Sequence, residues 1–270
     1  MEFVDTHCHP YFDALAGNIE QVIGDAKKAG VTRLISVGTN LDDSAKAIAI
    51  AEAYDNVWAS VGVHPHEVSE FLADKQAEQR LLELLNKSST LTPKNKFSGG
   101  PVVAVGEIGL DYFKNYSSRE DQLAALRRQI EVTLELKLPY IFHVREAWQD
   151  FFKVFDSYPN IGGVVHSFSA HQTELEQILS RGLYVGLNGI MTFSSDEQQL
   201  AAAKAVPADR LVLETDAPFL APKPFRGQTC EPKHVVTTAE FLADLRGEGL
   251  PELAKFSTKN AIALFGLEAS

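Results

Sequence analysis

The feature that most constrains this fold is a regular alternation of short apolar segments with longer amphipathic ones. Strand-like stretches fall at residues 2–9, 33–37, 57–63, 102–108, 140–143, 162–166, 183–187 and 210–215. Helix-like stretches separate or follow them at 18–29, 42–54, 77–86, 119–137, 146–157, 171–181, 196–205, 232–245 and 251–265. Leu123, Leu126, Ile130 and Leu134 form one apolar stripe at helical spacing, and Gly30 and Gly182 stand where helices commonly end in a left-handed residue. Such alternation predicts a parallel sheet with crossover helices. Eight strands, and no glycine-rich phosphate turn after the first, favour a single-domain (β/α)8 TIM-type barrel over residues 1–270; an open doubly wound sheet is the alternative. The polar segment 87–101 reads as a loop on the barrel face away from the strands' C-terminal ends, with solvated lysines.

A chain of 270 residues that is 45% hydrophobic can fill one such core. Its formal net charge of -11 argues against a long basic track for duplex nucleic acid. Two cysteines make no disulfide framework, and neither a secretory h-region nor a membrane-length apolar run is seen, so a reducing, cytoplasmic setting without membrane contact is expected. No feature calls for an obligate protein partner.

Functional residues collect at the predicted strand ends. In the first strand, alternation puts Asp5, His7 and His9 on one face, with Asp5 able to orient a ligating ring. His64 closes the third strand with His66 just beyond it, Glu107 the fourth, His143 the fifth and His166 the sixth, and Asp216 follows the eighth. The C-terminal strand ends of a barrel converge on one mouth, so this placement predicts a metal site there. Imidazole mixed with carboxylate suits Zn, Mn, Fe or Mg. More ligands are present than one tetrahedral ion needs, which fits two divalent ions sharing a carboxylate and activating a water for phosphodiester cleavage. Glu214 should point inward beside Asp216, to support the ligands or position substrate. Arg145 shares a face with His143, where it meets either a phosphate or a loop acid. Asp111 is expected to shape the loop after the fourth strand, Cys8 to be a small buried hydrophobe, and His171 and His234 to be surface or capping residues.

Six stretches carry a resemblance to a known family. They are Asp5-Thr6-His7-Cys8-His9, Gly62-Val63-His64-Pro65-His66, Gly106-Glu107-Ile108-Gly109-Leu110-Asp111-Tyr112, His143-Val144-Arg145-Glu146-Ala147, His166-Ser167-Phe168-Ser169 and Leu213-Glu214-Thr215-Asp216-Ala217-Pro218. Together with the closing Ser257-Thr258-Lys259-Asn260-Ala261, they resemble the TatD-type metal-dependent deoxyribonucleases along nearly the whole chain.

The resemblance implies one metal on His7, His9, Glu107 and Asp216 and a second on Glu107, His143 and His166, with Glu107 bridging. It implies that His64 handles substrate phosphate or a proton, and that Asp216 accepts a proton from the attacking water. It also implies 3′ to 5′ exonuclease action on DNA ends, single-stranded ones by the lack of a broad basic track, for which Arg145, Arg226, Lys223 and Lys233 would supply positive potential. Two positions depart from the family pattern: Cys230 stands where Asn is usual before Glu231-Pro232, and Ala170 where Gly is common. Both bear on substrate preference rather than on the ligands. The competing readings are a hydrolase of esters, amides or lactones on the same metal site, including an ester-cleaving enzyme acting on aminoacyl-tRNA, and a non-enzymatic scaffold.

Overall fold

The computed structural model describes residues 1–86, 99–114 and 116–267; most of the expected 87–101 loop lies outside them. The strands are β1 (Phe3–Cys8), β2 (Val31–Val37), β3 (Val57–Val61), β4 (Val102–Asp111), β5 (Tyr140–Arg145), β6 (Gly163–Val165), β7 (Tyr184–Leu187) and β8 (Leu211–Leu213). They follow one another in sequence order in one eight-stranded sheet, with parallel pairing and with helices between them. This is the (β/α)8 class expected from the alternation. By Cα packing the chain divides into two compact units, residues 1–36 with 165–264 and residues 37–164 with 265–270.

In the first unit, β1 pairs with β2 on one side. On its other side it meets the chain that leaves β8: the Asp216 N–H donates to the His7 carbonyl at 2.8 Å, and the His9 N–H to the Ala217 carbonyl at 2.7 Å. The Thr6 hydroxyl adds a bond to the Leu213 carbonyl at 3.1 Å. The closing helix Leu250–Phe265 is tied to these strands by its polar face. Asn260 Nδ2 donates to the carbonyls of Ala208 and Leu211, and Thr258 Oγ1 to that of Glu2, all at 2.8 Å. The Leu211 carbonyl, buried at the start of β8, thereby gains a partner, and the segments leading into β1 and β8 are held to the helix.

In the second unit, the helix Leu41–Ala53 starts at Asn40, whose side chain accepts from the Asp43 N–H at 2.8 Å, and buries Ala47, Ile48 and Ala51. The helix Arg119–Thr133, capped by Ser118, carries two buried glutamines that act as clamps. Gln129 bonds both the N–H (2.8 Å) and the carbonyl (3.1 Å) of Val63, the residue before His64. Gln122 does the same for Asp111, at 2.8 and 3.0 Å. Gly109 lies beside His143 in the β4/β5 register with φ +153°, and a Cβ there would collide with the His143 carbonyl, so only glycine lets the strands approach.

The expected helix 119–137 ends as an α-helix at Thr133 and finishes in a 3-10 turn, Leu134–Leu136. The expected helix 232–245 opens as a 3-10 turn, Pro232–His234, and continues as Val235–Arg246 to Gly247 at φ +70°. Among the described residues no helix is long and apolar enough to cross a membrane.

Candidate metal centre

Each unit presents its own cluster of imidazole and carboxylate groups toward the C-terminal parts of its strands; Glu107 and His143, expected to close β4 and β5, lie inside those strands, which continue to Asp111 and Arg145. In the first, β1 delivers His7 and His9, both buried, and their Nε2 atoms lie 3.2 Å apart. Asp216 Oδ1 faces both, 3.6 Å from His7 Nε2 and 3.3 Å from His9 Nε2. Burial pushes the Asp216 carboxyl up, but the His9 hydrogen bond and the charges of His7, His9 and His166 outweigh it, and its pKa settles below the ordinary value. His166, from the end of β6, stacks on His7 with ring centroids 4.0 Å apart.

Glu214 is fully buried beside these rings. Its Oε1 accepts from the Ser167 N–H at 2.6 Å and from Asn188 Nδ2 at 3.2 Å, and lies 3.6 Å from His166 Nδ1. Its Oε2 is buried with no hydrogen-bond partner. One ligand atom from each of His7, His166 and Glu214 falls within a 4.8 Å cluster. A buried carboxylate oxygen left without a donor is costly in a protein alone, and a cation would satisfy it. The donor chemistry and this orphaned oxygen therefore fit a divalent ion.

The second unit brings His64, Glu107 and His143 within the same 4.8 Å limit. Glu107 Oε1 lies 2.9 Å from His143 Nδ1 and 3.7 Å from His64 Nε2. The His66 N–H donates to His64 Nδ1 at 3.1 Å, which leaves the His64 proton on Nε2, the nitrogen facing Glu107. Asp111, buried at the end of β4, puts Oδ2 3.1 Å from His143 Nε2 and 3.0 Å from His66 Nε2. Burial alone would raise its pKa, but the bonds from His143 and His66 and from the Lys114 N–H prevail and hold it well below the carboxylate range.

Three non-glycine residues at these strand ends have left-handed backbones: Asp216 (φ +61°), Ser167 (φ +50°) and Glu146 (φ +54°). Such conformations are costly for ordinary side chains and collect at functional sites.

Several expectations need correction. Asp5 does not orient a histidine ring. Its carboxylate accepts from the His7 N–H (3.2 Å), the Thr215 N–H (2.9 Å) and the Thr215 hydroxyl (2.6 Å), fixing backbone instead. Burial pushes that carboxyl up to about 8 against the pull of these bonds. The register of β1 against β2 shifts between Asp5 and Cys8, so the simple alternation of faces assumed for 5, 7 and 9 is interrupted. Arg145 pairs with no loop acid among the described residues; its guanidinium lies 3.8 Å over the Phe113 ring. Arg226 is exposed and lies 4.5 Å over Phe193, while Lys233 is paired with Glu231 at 2.8 Å.

His171 is exposed and caps its helix as expected. His234 also caps, accepting from the Glu231 N–H, but it is buried and stacked on Phe225 at 4.4 Å. Cys8 is wholly buried and donates to the Ile35 carbonyl at 3.4 Å; Cys230 is buried as well, its N–H bonded to the Pro218 carbonyl at 3.0 Å. The sequence reading missed Asn188 and Ser167, which hold Glu214, and gave Asp111 only its loop role. Asn188-Gly189 directly after a strand was the available signal for the first.

A family model described as "TatD related DNase" matches residues 4–266. A protein of Erwinia amylovora named 3′-5′ ssDNA/RNA exonuclease TatD is 36% identical over 259 residues, covering 92% of this chain and 93% of its own. The uncharacterized metal-dependent hydrolase YabD of Bacillus subtilis is 32% identical over 263 residues, covering 97% and 98%. Among solved structures, the TatD homologue YjjV of Escherichia coli K12 superposes with a TM-score of 0.88 at 29% identity, over 98% of both chains. The chain belongs to the TatD-related DNase family and is a metal-dependent hydrolase of the ester-cleaving class.

Proposed function

We propose that this enzyme hydrolyses phosphodiester bonds at the 3′ ends of single-stranded nucleic acid, DNA foremost, with two divalent ions, in a reducing cytoplasmic compartment. The observation that carries this reading is the pair of histidine-carboxylate clusters at strand ends, one of which contains a buried carboxylate oxygen lacking a donor.

The proposal assigns one ion to His7, His9, Glu107 and Asp216 and the other to Glu107, His143 and His166, with Glu107 common to both as the resemblance implies. Bound divalent ions would supply Lewis acidity and a water of lowered pKa, and would stabilise charge on the attacking and leaving oxygens. Water adds to phosphorus as the bond to the leaving 3′ oxygen breaks. Asp216 takes the water's proton, the role that the resemblance implies for it. His64, with its proton held on Nε2 by the His66 N–H, donates to the phosphate or the leaving oxygen. Asp111 keeps the ring of His143 in place through its Nε2, and Glu214, whose Oε2 has no donor, supplies negative charge beside His7 and His166. Arg145 and Arg226 are assigned to substrate phosphates, Arg145 from its place on β5 two residues beyond His143.

End-labelled single-stranded and duplex oligonucleotides, incubated with metal-loaded protein with and without chelator, test the reading. A ladder shortening from the 3′ end of single strands that chelator abolishes is expected. Chelator-insensitive cleavage, cleavage confined to internal duplex sites, or turnover of carboxylic esters alone would overturn it.

A further inference from the structure

The loop after β4 displays aromatic surface that the fold does not use. Phe113 is 49% exposed and Tyr116 is 69% exposed, although most large apolar side chains of the chain are buried. Single exposed aromatics are common, but these two stand beside the second ligand cluster, Phe113 two residues after Asp111 and Tyr116 against His66.

Two cations accompany the rings. The Arg145 guanidinium lies 3.8 Å from the Phe113 centroid and the Lys114 ammonium 5.5 Å from it. Tyr116 packs edge-on against His66, with centroids 4.8 Å apart. Phe113 and Lys114 are tied to the second ligand cluster through one carboxylate. Asp111 Oδ1 accepts from the Phe113 N–H (3.0 Å) and the Lys114 N–H (2.9 Å), while Oδ2 contacts His143 and His66. On the next strand Arg145 is held opposite Asp111, and its carbonyl accepts from the Tyr112 N–H at 2.9 Å.

We propose that Phe113 and Tyr116, with Arg145 and Lys114, form a stacking subsite that holds an unpaired base of a single-stranded nucleic acid next to the His143 cluster. This deepens the function proposed above and rests on it. The Phe113 face opposite Arg145 and the exposed surface of Tyr116 can receive the flat face of a base, and the adjoining cations bind its flanking phosphates. Bases within a duplex are already stacked and offer no free face. The subsite therefore selects frayed or single-stranded ends by stacking rather than by charge alone, which suits a chain of net charge -11.

The test is fluorescence anisotropy on metal-loaded protein with phosphorothioate single strands that resist cleavage. One oligonucleotide carries bases and the other carries abasic sites at equal length and charge. Wild type should bind the base-bearing strand about tenfold more tightly, Phe113→Ala should remove most of that gap, Tyr116→Ala part of it, and Phe113→Trp should retain it. Both rings are exposed, and melting temperatures of the variants verify that they fold. Equal affinity of wild type for the two strands, no binding of either, or a gap that survives Phe113→Ala within about twofold would overturn the subsite. Absent hydrolysis with the base-dependent gap intact would count against the proposed reaction alone; hydrolysis without the gap would count against the subsite alone.

Discussion

Asp216 and His7 are joined twice: the Asp216 N–H donates to the His7 carbonyl at 2.8 Å, and its Oδ1 lies 3.6 Å from His7 Nε2. The backbone bond sets the distance at which the side chains meet, before any ion is present. Asp216 holds this position with a left-handed backbone, φ +61°, that Asp and Asn tolerate better than most residues.

Asp111 serves two structures with two oxygens, and Asp111→Asn separates them. An asparagine retains Oδ1 as acceptor for the Phe113 and Lys114 N–H groups, but turns an NH2 toward His143 and His66. Metal affinity measured by competition with a chromophoric chelator should weaken about 10- to 100-fold, with the melting temperature of the metal-free protein little changed. Unaltered affinity would show that the carboxylate only shapes the loop.

Glu214→Gln is the matching experiment in the other cluster. Gln retains an oxygen for Ser167 and Asn188 and replaces the partnerless Oε2 by an amide, which cannot face a cation. Equilibrium dialysis should show at least about tenfold weaker retention of one ion equivalent. Full retention of both would remove Glu214 from the metal centre.

Much of this arrangement was legible in the sequence because strand order and histidine placement are both coarse signals. The eight strands were found within a few residues, and His7, His9, His166 and Asp216 stand at or just past strand ends, whereas β4 and β5 run on beyond Glu107 and His143 to Asp111 and Arg145. What escaped depends on single hydrogen bonds. Asp5 looked like a ring-orienting acid by alternation, yet the register shift in β1 turns it toward Thr215. Gln122 and Gln129 read as ordinary polar helix residues, because only tertiary contact reveals that they clamp Asp111 and Val63. The helices Asp13–Ala16 and Val68–Ala73 are too short to show a period.

The stability of the protein should fall as pH drops through the histidine range, and His234 should account for part of it. Burial disfavours its charged form and the folded pKa lies below 6.5, against the opposing pull of Glu231. The unfolded chain then binds more protons, so this contribution is full above the unfolded value and is lost as pH falls through it toward the folded one. The drop in melting temperature from about pH 7.5 to about pH 5.5 should be smaller in His234→Gln than in wild type. Equal drops would exclude His234 as a source.

We further propose that residues 1–270 unfold as one domain. The divisions between the two compact units fall within strands β2 and β6, not in linkers, so neither unit ends where its secondary structure does. Calorimetry should record one transition, with calorimetric and van't Hoff enthalpies equal. Two resolved transitions would show independent units.

The central claim is that Asp216 both holds an ion and takes the proton of the attacking water. Asp216→Asn is nearly isosteric, suits the left-handed backbone and preserves the N–H bond to His7, so the variant should fold. The decisive measurement is turnover of an end-labelled single strand by this variant and wild type at equal metal occupancy. A fall of at least about a thousandfold with the melting temperature maintained is the predicted result; activity within about tenfold of wild type would contradict the assignment and require another base.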